Sequence, residues 1–239
     1  MSNHPNETNM KVDLIKYMSD RLQEDCRKAK EPGPVITISR EYGCPAKKIA
    51  QKLIEELTKK MYVKGKNAQW RYITKEIMSE SAKELELDPA KIKYVFDYEQ
   101  KSFLDDILTS HSTKYYKSDR RIRNTVAKVI RNIACEGNVV IVGRGGVAIT
   151  RDIPKSLHIN LEAPLEWRVL RASEKHEIAL EEAEKYTLNI DRKRKQFREF
   201  FEGKNTDYTR FDLTFNCMTL SPNEIVGIVL RAAEVRRLL

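Results

Sequence analysis

The stretch Val35-Ile36-Thr37-Ile38-Ser39, continued by Arg40-Glu41-Tyr42-Gly43-Cys44-Pro45-Ala46-Lys47-Lys48 and then by Ile49 to Leu57, constrains the fold more than any other part of the chain. Its first four residues are β-branched and follow Pro32-Gly33-Pro34, which reads as a buried strand after a breaker. Apolar residues at 49, 50, 53, 54 and 57 then mark one face of a helix. A strand, a tight turn and a basic residue opening a helix make an anion cradle, because free amides and the positive end of the helix dipole point into the turn. The loop departs from a Walker A sequence: Ala46 stands before Lys47 where a glycine belongs, Lys48 follows where Ser or Thr belongs, and Pro45 has no amide hydrogen. By local pattern it reads either as a phosphate-binding loop or as an ordinary turn of an α/β protein.

The rest of the chain alternates strands and helices. Val139 to Val142 is a short, wholly apolar run, the signature of a buried parallel strand, and it ends in Gly143-Arg144-Gly145-Gly146. An arginine among glycines at the carboxyl end of such a strand stands where open α/β sheets bind ligands, although a plain tight turn with a solvated arginine reads the same way. Trp70-Arg71-Tyr72-Ile73 and Leu157 to Leu161 give two more strands, and Phe211 to Asn216 alternates as a half-buried one. Ile122, Val126, Val129, Ile130 and Ile133 form a helical stripe closed by Gly137. Ala163-Pro164-Leu165-Glu166 opens another helix, and Ser221-Pro222-Asn223-Glu224 is a capping box that opens the last. This order predicts a parallel sheet with helices on both faces.

Five segments fall outside that alternation. Residues 1–9 are polar and read as disordered, and Val12, Ile15, Met18, Leu22 and Cys26 make an amphipathic helix over 10–30. That helix could pack on the core, on a second copy to give a homodimer, or on a membrane surface; packing on protein is the default. After Leu57 the chain reads as a basic loop over Lys59 to Gln69, and residues 74–118 read as a helical cap, with Asp88-Pro89 opening one of its helices. Asp191 to Arg198 is a basic run that is either a solvated helix face or a lid carrying phosphate-binding arginines.

With 44 Lys and Arg against 35 Asp and Glu, the net charge of +9 favours anionic partners. No nucleic-acid reading motif accompanies the charge, and no run approaches the roughly 18 apolar residues of a membrane span. Cys26, Cys44, Cys135 and Cys217 lack zinc-type spacing and follow no secretory leader, so they read as reduced thiols in a cytoplasmic protein. Cys44, at a helix start, is either a reactive thiol or a small residue filling a turn.

Taken together, Ile38-Ser39-Arg40-Glu41-Tyr42-Gly43, Val142-Gly143-Arg144-Gly145, Leu161 to Arg168, Asp191 with Arg194, and Asp212 with Asn216 resemble the cytidylate kinase-like family, in family order from Val35 onward. The resemblance implies a three-layer P-loop NTPase-like α/β fold: a five-stranded parallel sheet with helices on both faces and a helical lid. It divides the chain into an N-terminal segment, 1–30, and a kinase-like domain, 31–239, with the acceptor cap at about 74–118 and the lid at about 168–204. It implies a nucleotide-binding phosphotransferase that moves a phosphoryl group from ATP, with Mg²⁺, to a nucleoside monophosphate or related phosphorylated acceptor. Carried over by position, Lys47, Arg144 and Arg194 are the catalytic group. Arg40, Gly43, Cys44, Ala46 and Lys48 contact phosphate in the loop, and Arg168, Arg171 and Arg198 join them from later elements. No metal ligand is carried over. Three departures stand out: the family loop reads Gly-Ser-Gly-Gly-Arg where Gly43-Cys44-Pro45-Ala46-Lys47 stands, Gly145 replaces an aspartate after the acceptor arginine, and Thr74 replaces another. They leave the acceptor base open and admit a second reading, a nucleotide-binding regulatory protein that has lost the chemistry.

Overall fold

The computed structural model describes residues 32–74, 113–203 and 208–239, with positions 79, 81 and 83. The expected N-terminal helix over 10–30 and most of the expected cap over 74–118 lie outside the described residues; the last cap positions, 113–118, belong to the helix Thr113–Glu136. Five strands form one all-parallel sheet: β1 (Val35–Arg40), β2 (Arg71–Ile73), β3 (Val139–Val142), β4 (Ser156–Glu162) and β5 (Leu213–Asn216), in the order β2-β3-β1-β4-β5. The helices are α1 (Ala46–Val63), α2 (Thr113–Glu136), α3 (Gly146–Ile149), α4 (Leu165–His176), α5 (Leu180–Glu202) and α6 (Pro222–Val235). The fold is thus the α/β architecture that the resemblance implies.

Alternation along the central strands divides the core into two layers. Ile36 and Ile38 of β1, with Val140 and Val142 of β3, face α1 and α6, where they meet Ile49, Leu53, Ile225 and Val229. Val35, Val139 and Ile141 face the opposite way, onto Ile122, Val126, Ile130 and Ile133 of α2. Each of these side chains is nearly or wholly buried, which stabilises the fold by about 1.5–3 kcal/mol apiece before entropy is counted. A strand buried on both faces cannot alternate with polar residues, hence the unbroken apolar run of β3.

The helices start and stop for local reasons. Ser221 caps α6 in a full capping box with Glu224, and Pro222 takes the first turn. Pro164 is the residue before α4, so the helix begins one position later than expected. The expected basic loop after Leu57 is a helix as far as Val63: Met61 is buried, and Lys60 meets Glu234 of α6 at 2.6 Å. Cys135, in the last turn of α2, is disulfide-bonded, which corrects the expectation of four reduced thiols. Sequence spacing carries no information about that contact. Cys44 and Cys217 are free. Among the described residues no helix is long and apolar enough to cross a membrane.

The topology prepares one crevice. From β1 the chain leaves through α1 on one face of the sheet, and from the neighbouring β3 it leaves through α3, whose Ile149 packs on the other face. Adjacent strands whose exits diverge leave a gap at their carboxyl ends, the usual ligand position in open α/β sheets.

Candidate active site

The β1–α1 loop closes as a tight turn: the Cys44 N–H donates to the Glu41 carbonyl at 3.4 Å. Gly43 has φ +91°, and a Cβ there would stand 3.2 Å from the Cα and the carbonyl oxygen of Arg168. Glycine is therefore needed both for the left-handed backbone and for the close approach of α4.

Not every loop amide is available to a ligand. The Glu41 N–H donates to Leu161 O, the Ala46 N–H to Cys44 O, and the Tyr42 N–H to Asp191 Oδ1 at 2.7 Å. Pro45 has none to offer. The Gly43, Lys47 and Lys48 amides donate to no described acceptor. At the start of α1 no side chain caps the helix, and its first turn contains no acidic residue. An 18-residue helix thus presents its positive end, two open amides and the exposed Lys47 and Lys48 to the space before it.

Arg168 sits beneath this loop, 5% exposed. Its Nε donates to Ala163 O at 2.9 Å, and Nη1 donates to Tyr42 O at 3.3 Å and Asp191 Oδ2 at 2.6 Å. Glu41 Oε2 lies 3.2 Å from the same Nε and accepts the Ala163 N–H. Burial pushes the Glu41 carboxyl above its ordinary range, against the pull of the Ala163 N–H and the Arg168 charge. A buried guanidinium with two carboxylates and two carbonyls around it holds the turn to α4 and α5. Arg171 stands above, exposed, with Nε donating to Gly43 O at 3.2 Å and its guanidinium 4.6 Å from the Trp167 ring centroid.

The crevice between β1 and β3 holds a cavity of about 40 Å³, with Arg40, Arg144, Arg194 and Arg198 in its walls beside Ser39, Gly143, Gly145, Val147 and Phe197. That is room for a few water-sized groups. Gly143, Arg144 and Gly145 all have positive φ, at +72°, +58° and +68°. For Arg144 this backbone is strained, a cost of about 1 kcal/mol or more that clusters at functional positions. A Cβ on Gly143 would lie 1.8 Å from Arg40 Nη1, so the Arg40 guanidinium lies directly on the glycine backbone. From α5, Arg194 Nη1 donates to Arg40 O at 3.4 Å, and its guanidinium lies 5.5 Å from the centre of the Tyr42 ring. Arg198 Nε is 3.9 Å from Glu202.

The residues singled out from sequence therefore fall into three groups. Arg40, Arg144, Arg194 and Arg198 meet around the cavity; Gly43, Cys44, Ala46, Lys47 and Lys48 make the loop, with Ala46 buried. Arg168 is enclosed beneath the loop and Arg171 lies over its outer side. Asp191, Glu41 and Tyr42 had been assigned no role, yet they shape the loop. In the sequence Asp191 shows as the carboxylate that opens a basic run and, with Arg194, as one of the motifs of the family resemblance. Tyr42 is anchored by its hydroxyl to His176 Nε2 at 2.6 Å and by an edge contact with Tyr186. A broader open groove on α2, edged by Arg120, Arg121 and Lys128, shares no residue with the loop or the cavity.

Comparison with curated proteins gives no match. Among solved structures, an uncharacterized protein from Eubacterium ventriosum ATCC 27560 is similar, with a TM-score of 0.59 and 19% sequence identity, covering 84% of this chain and 98% of its own. That likeness concerns the fold. The cytidylate kinase-like family matches residues 35–219, from the first strand to just beyond the fifth. Loop, glycine turn and arginine-bearing helix all lie inside the match, and the chain belongs to the cytidylate kinase-like family.

Proposed function

We propose that this chain is a phosphotransferase that binds ATP at the β1–α1 loop and moves a phosphoryl group to a nucleoside monophosphate or related phosphorylated acceptor at the arginine-walled cavity. One observation carries the reading: an uncapped helix start with open amides stands beside a cavity whose walls include four arginines and no carboxylate. Phosphoryl transfer needs positioning and neutralisation of charge more than it needs acids and bases.

In this reading the Gly43, Lys47 and Lys48 amides and the Lys47 ammonium hold the donor's terminal phosphates. Arg144, strained into the crevice, takes the acceptor's phosphate with its bidentate fork. Arg194, on α5 and steadied by Arg40 O and the Tyr42 ring, stabilises the charge on the transferring group, with Arg40 and Arg198 beside it. Arg168 is a positioning residue for the loop, since two of its nitrogens already serve protein acceptors. Bound Mg²⁺ supplies further charge neutralisation. The loop has no hydroxyl after Lys47 to hold the ion, so in this reading the nucleotide's own phosphates would carry it. ATP supply makes the cytoplasm the compartment for this activity.

A second reading, a nucleotide-binding regulatory protein without turnover, is favoured by the loop's losses: Pro45 lacks an amide, Lys48 lacks the hydroxyl, and Tyr42's amide is taken by Asp191. Isothermal titration with ATP and Mg²⁺, followed by a turnover assay across nucleoside monophosphates, separates the two. Binding with multiple turnovers supports the transferase, and binding without turnover supports the regulator. No binding at millimolar nucleotide by folded protein refutes both.

A further inference from the structure

A buried charge cluster adjoins the arginine cavity at the C-terminal end of α5. Glu202 is the last residue of that helix, and two guanidiniums address the same carboxylate oxygen, Oε2. Arg210 Nη1 is in direct contact with it, whereas Arg198 Nε stands off at 3.9 Å, the outer limit of an ion pair. All three of these atoms are buried. As whole side chains, Glu202 is 9% exposed and Arg210 5%, but Arg198 is 28% exposed and forms part of the cavity wall. A carboxylate in the last turn of a helix faces the negative end of the dipole, so it depends on such cations. Arg210 comes from the sheet side of the fold. It ends the 3₁₀ turn Tyr208–Arg210, just before β5. Two positions on, the Asp212 N–H donates to His158 O at 2.7 Å, and Asp212 Oδ2 accepts the His158 N–H at 2.7 Å. Arg236 Nη1 donates to Asp212 Oδ1 at 3.1 Å. Arg210 thus reaches Glu202 from a segment tied to β4, and Arg198, one turn before Glu202 on α5, is left the longer contact.

We propose that Arg210 is a positioning residue for Arg198: by taking the Glu202 carboxylate it leaves the Arg198 guanidinium to the cavity, where that guanidinium meets the terminal phosphate of a bound nucleoside triphosphate. The placement of Arg198 stands on the shared oxygen; its effect on the nucleotide rests on the function proposed above. Without Arg210, Glu202 is a buried carboxylate whose other cation at Oε2 is Arg198, and a buried charge stripped of its partner is costly. Arg198 and Glu202 are four apart, so the pair can close along one helix face. That closure draws the guanidinium toward the last turn of α5 and away from the cavity.

The test titrates the full chain and its variants with ATP–Mg²⁺ and with ADP–Mg²⁺, which lacks the terminal phosphate. Arg210→Met should bind ATP about tenfold more weakly, the loss of one charge-assisted contact, and ADP as the wild type does. Arg210→Lys keeps a cation on Glu202 and should keep the affinity for ATP. In an Arg198→Ala background Arg210→Met should cost no further affinity, because both changes take the same guanidinium from the cavity. Arg210→Met combined with Glu202→Gln removes the competing carboxylate and should bind ATP as the wild type does; this pair also serves if Arg210→Met alone does not fold. Equal weakening of ATP and ADP, or additive losses with Arg198→Ala, would make Arg210 a brace for the fold and overturn the proposal. Unchanged ATP affinity in Arg210→Met, where Arg198→Ala weakens it, overturns it as well. The Arg198 Nε–H resonance, assigned by its loss in Arg198→Lys, gives a readout without nucleotide. Its hydrogen exchange should slow in Arg210→Met as Glu202 takes it, and an unchanged rate overturns the proposal. If the wild type binds neither nucleotide, the phosphate-site reading fails and the exchange rate still decides whether Arg210 places Arg198.

Discussion

Gly143→Ala tests the arginine cavity without removing any charge. Alanine at φ +72° incurs the left-handed backbone penalty, about 1–2 kcal/mol. Its methyl carbon would meet Arg40 Nη1 at 1.8 Å and Cζ at 2.8 Å, both at the far end of a flexible side chain, so the guanidinium swings away instead of the backbone yielding. The fold then loses only the backbone term, a fall in melting temperature of about 2–8 °C for a chain of this size. The site loses Arg40's charge-assisted contact, worth about 1.5–3 kcal/mol, or roughly tenfold to hundredfold in affinity. Differential scanning calorimetry gives the first quantity. Titration with ATP–Mg²⁺ and with the tightest-binding nucleoside monophosphate gives the second. Arg40→Ala should reproduce the affinity loss without the backbone penalty, and the double variant should bind no worse than either single one, because both remove the same guanidinium. Additive losses, or a Gly143→Ala protein with lowered melting temperature and unchanged affinity for both ligands, would refute the placement of Arg40 in the site.

Arg144→Gly should release the strain at φ +58° and raise the melting temperature by a few degrees while kcat/KM for the acceptor collapses; a neutral effect on turnover would remove Arg144 from the reaction. Asp191→Asn should destabilise the chain by about 3 kcal/mol, because one amide oxygen cannot accept from both the Tyr42 N–H and Arg168 and the buried guanidinium loses its nearest counter-charge. Chemical denaturation checks this, and an unchanged midpoint contradicts it. Pro45→Gly restores an amide to the cradle and should tighten ATP–Mg²⁺ binding about tenfold; the more flexible unfolded chain lowers stability by about 0.4–1 kcal/mol, and weaker binding would mean that the loop is built for another ligand. For Asp152, burial would raise the carboxyl, but the hydrogen bond and charge of Arg131 outweigh it and the folded value is lowered. Its stabilisation is therefore fully present above the ordinary 3.8 and is lost as pH falls through the folded value. Glu41, raised above 4.5, acts in the opposite sense, stabilising below that pH and losing the effect as pH rises. Asp152→Asn should flatten the acid limb of the melting-temperature profile, and parallel acid limbs would contradict the assignment.

Local signals made much of this molecule legible in advance. β3 covers Val139–Val142 as its apolar run predicts, and the capping box at Ser221 opens α6 because all its partners lie within four residues. The glycine turn around Arg144 was equally visible, since positive φ leaves its mark in composition. The missed features involve distant partners. Lys59 and Lys60 read as the start of a loop, but Lys60 finds Glu234 and the helix continues to Val63. Arg168 looked like one more phosphate-binding arginine, and only Tyr42 O, 126 positions away, with Asp191 and Glu41 reveals it enclosed beneath the loop.

The same long separations govern the order in which the protein can acquire its shape. Tyr42 meets Asp191 across 149 positions, Arg40 meets Arg194 across 154, and Thr37 of β1 meets His158 of β4 across 121. During synthesis the residues of the loop emerge early, and the helix that bends them into a cradle emerges late. Contacts so distant make for slow folding. Until β3 and β4 arrive, the Val35–Arg40 strand has both edges unpaired and a nearly continuous β-branched sequence, a template for association with other nascent chains. A polypeptide interrupted before α5 is therefore a sticky fragment, and the β1–α1 loop takes its shape only once Asp191 of α5 is there to accept the Tyr42 N–H.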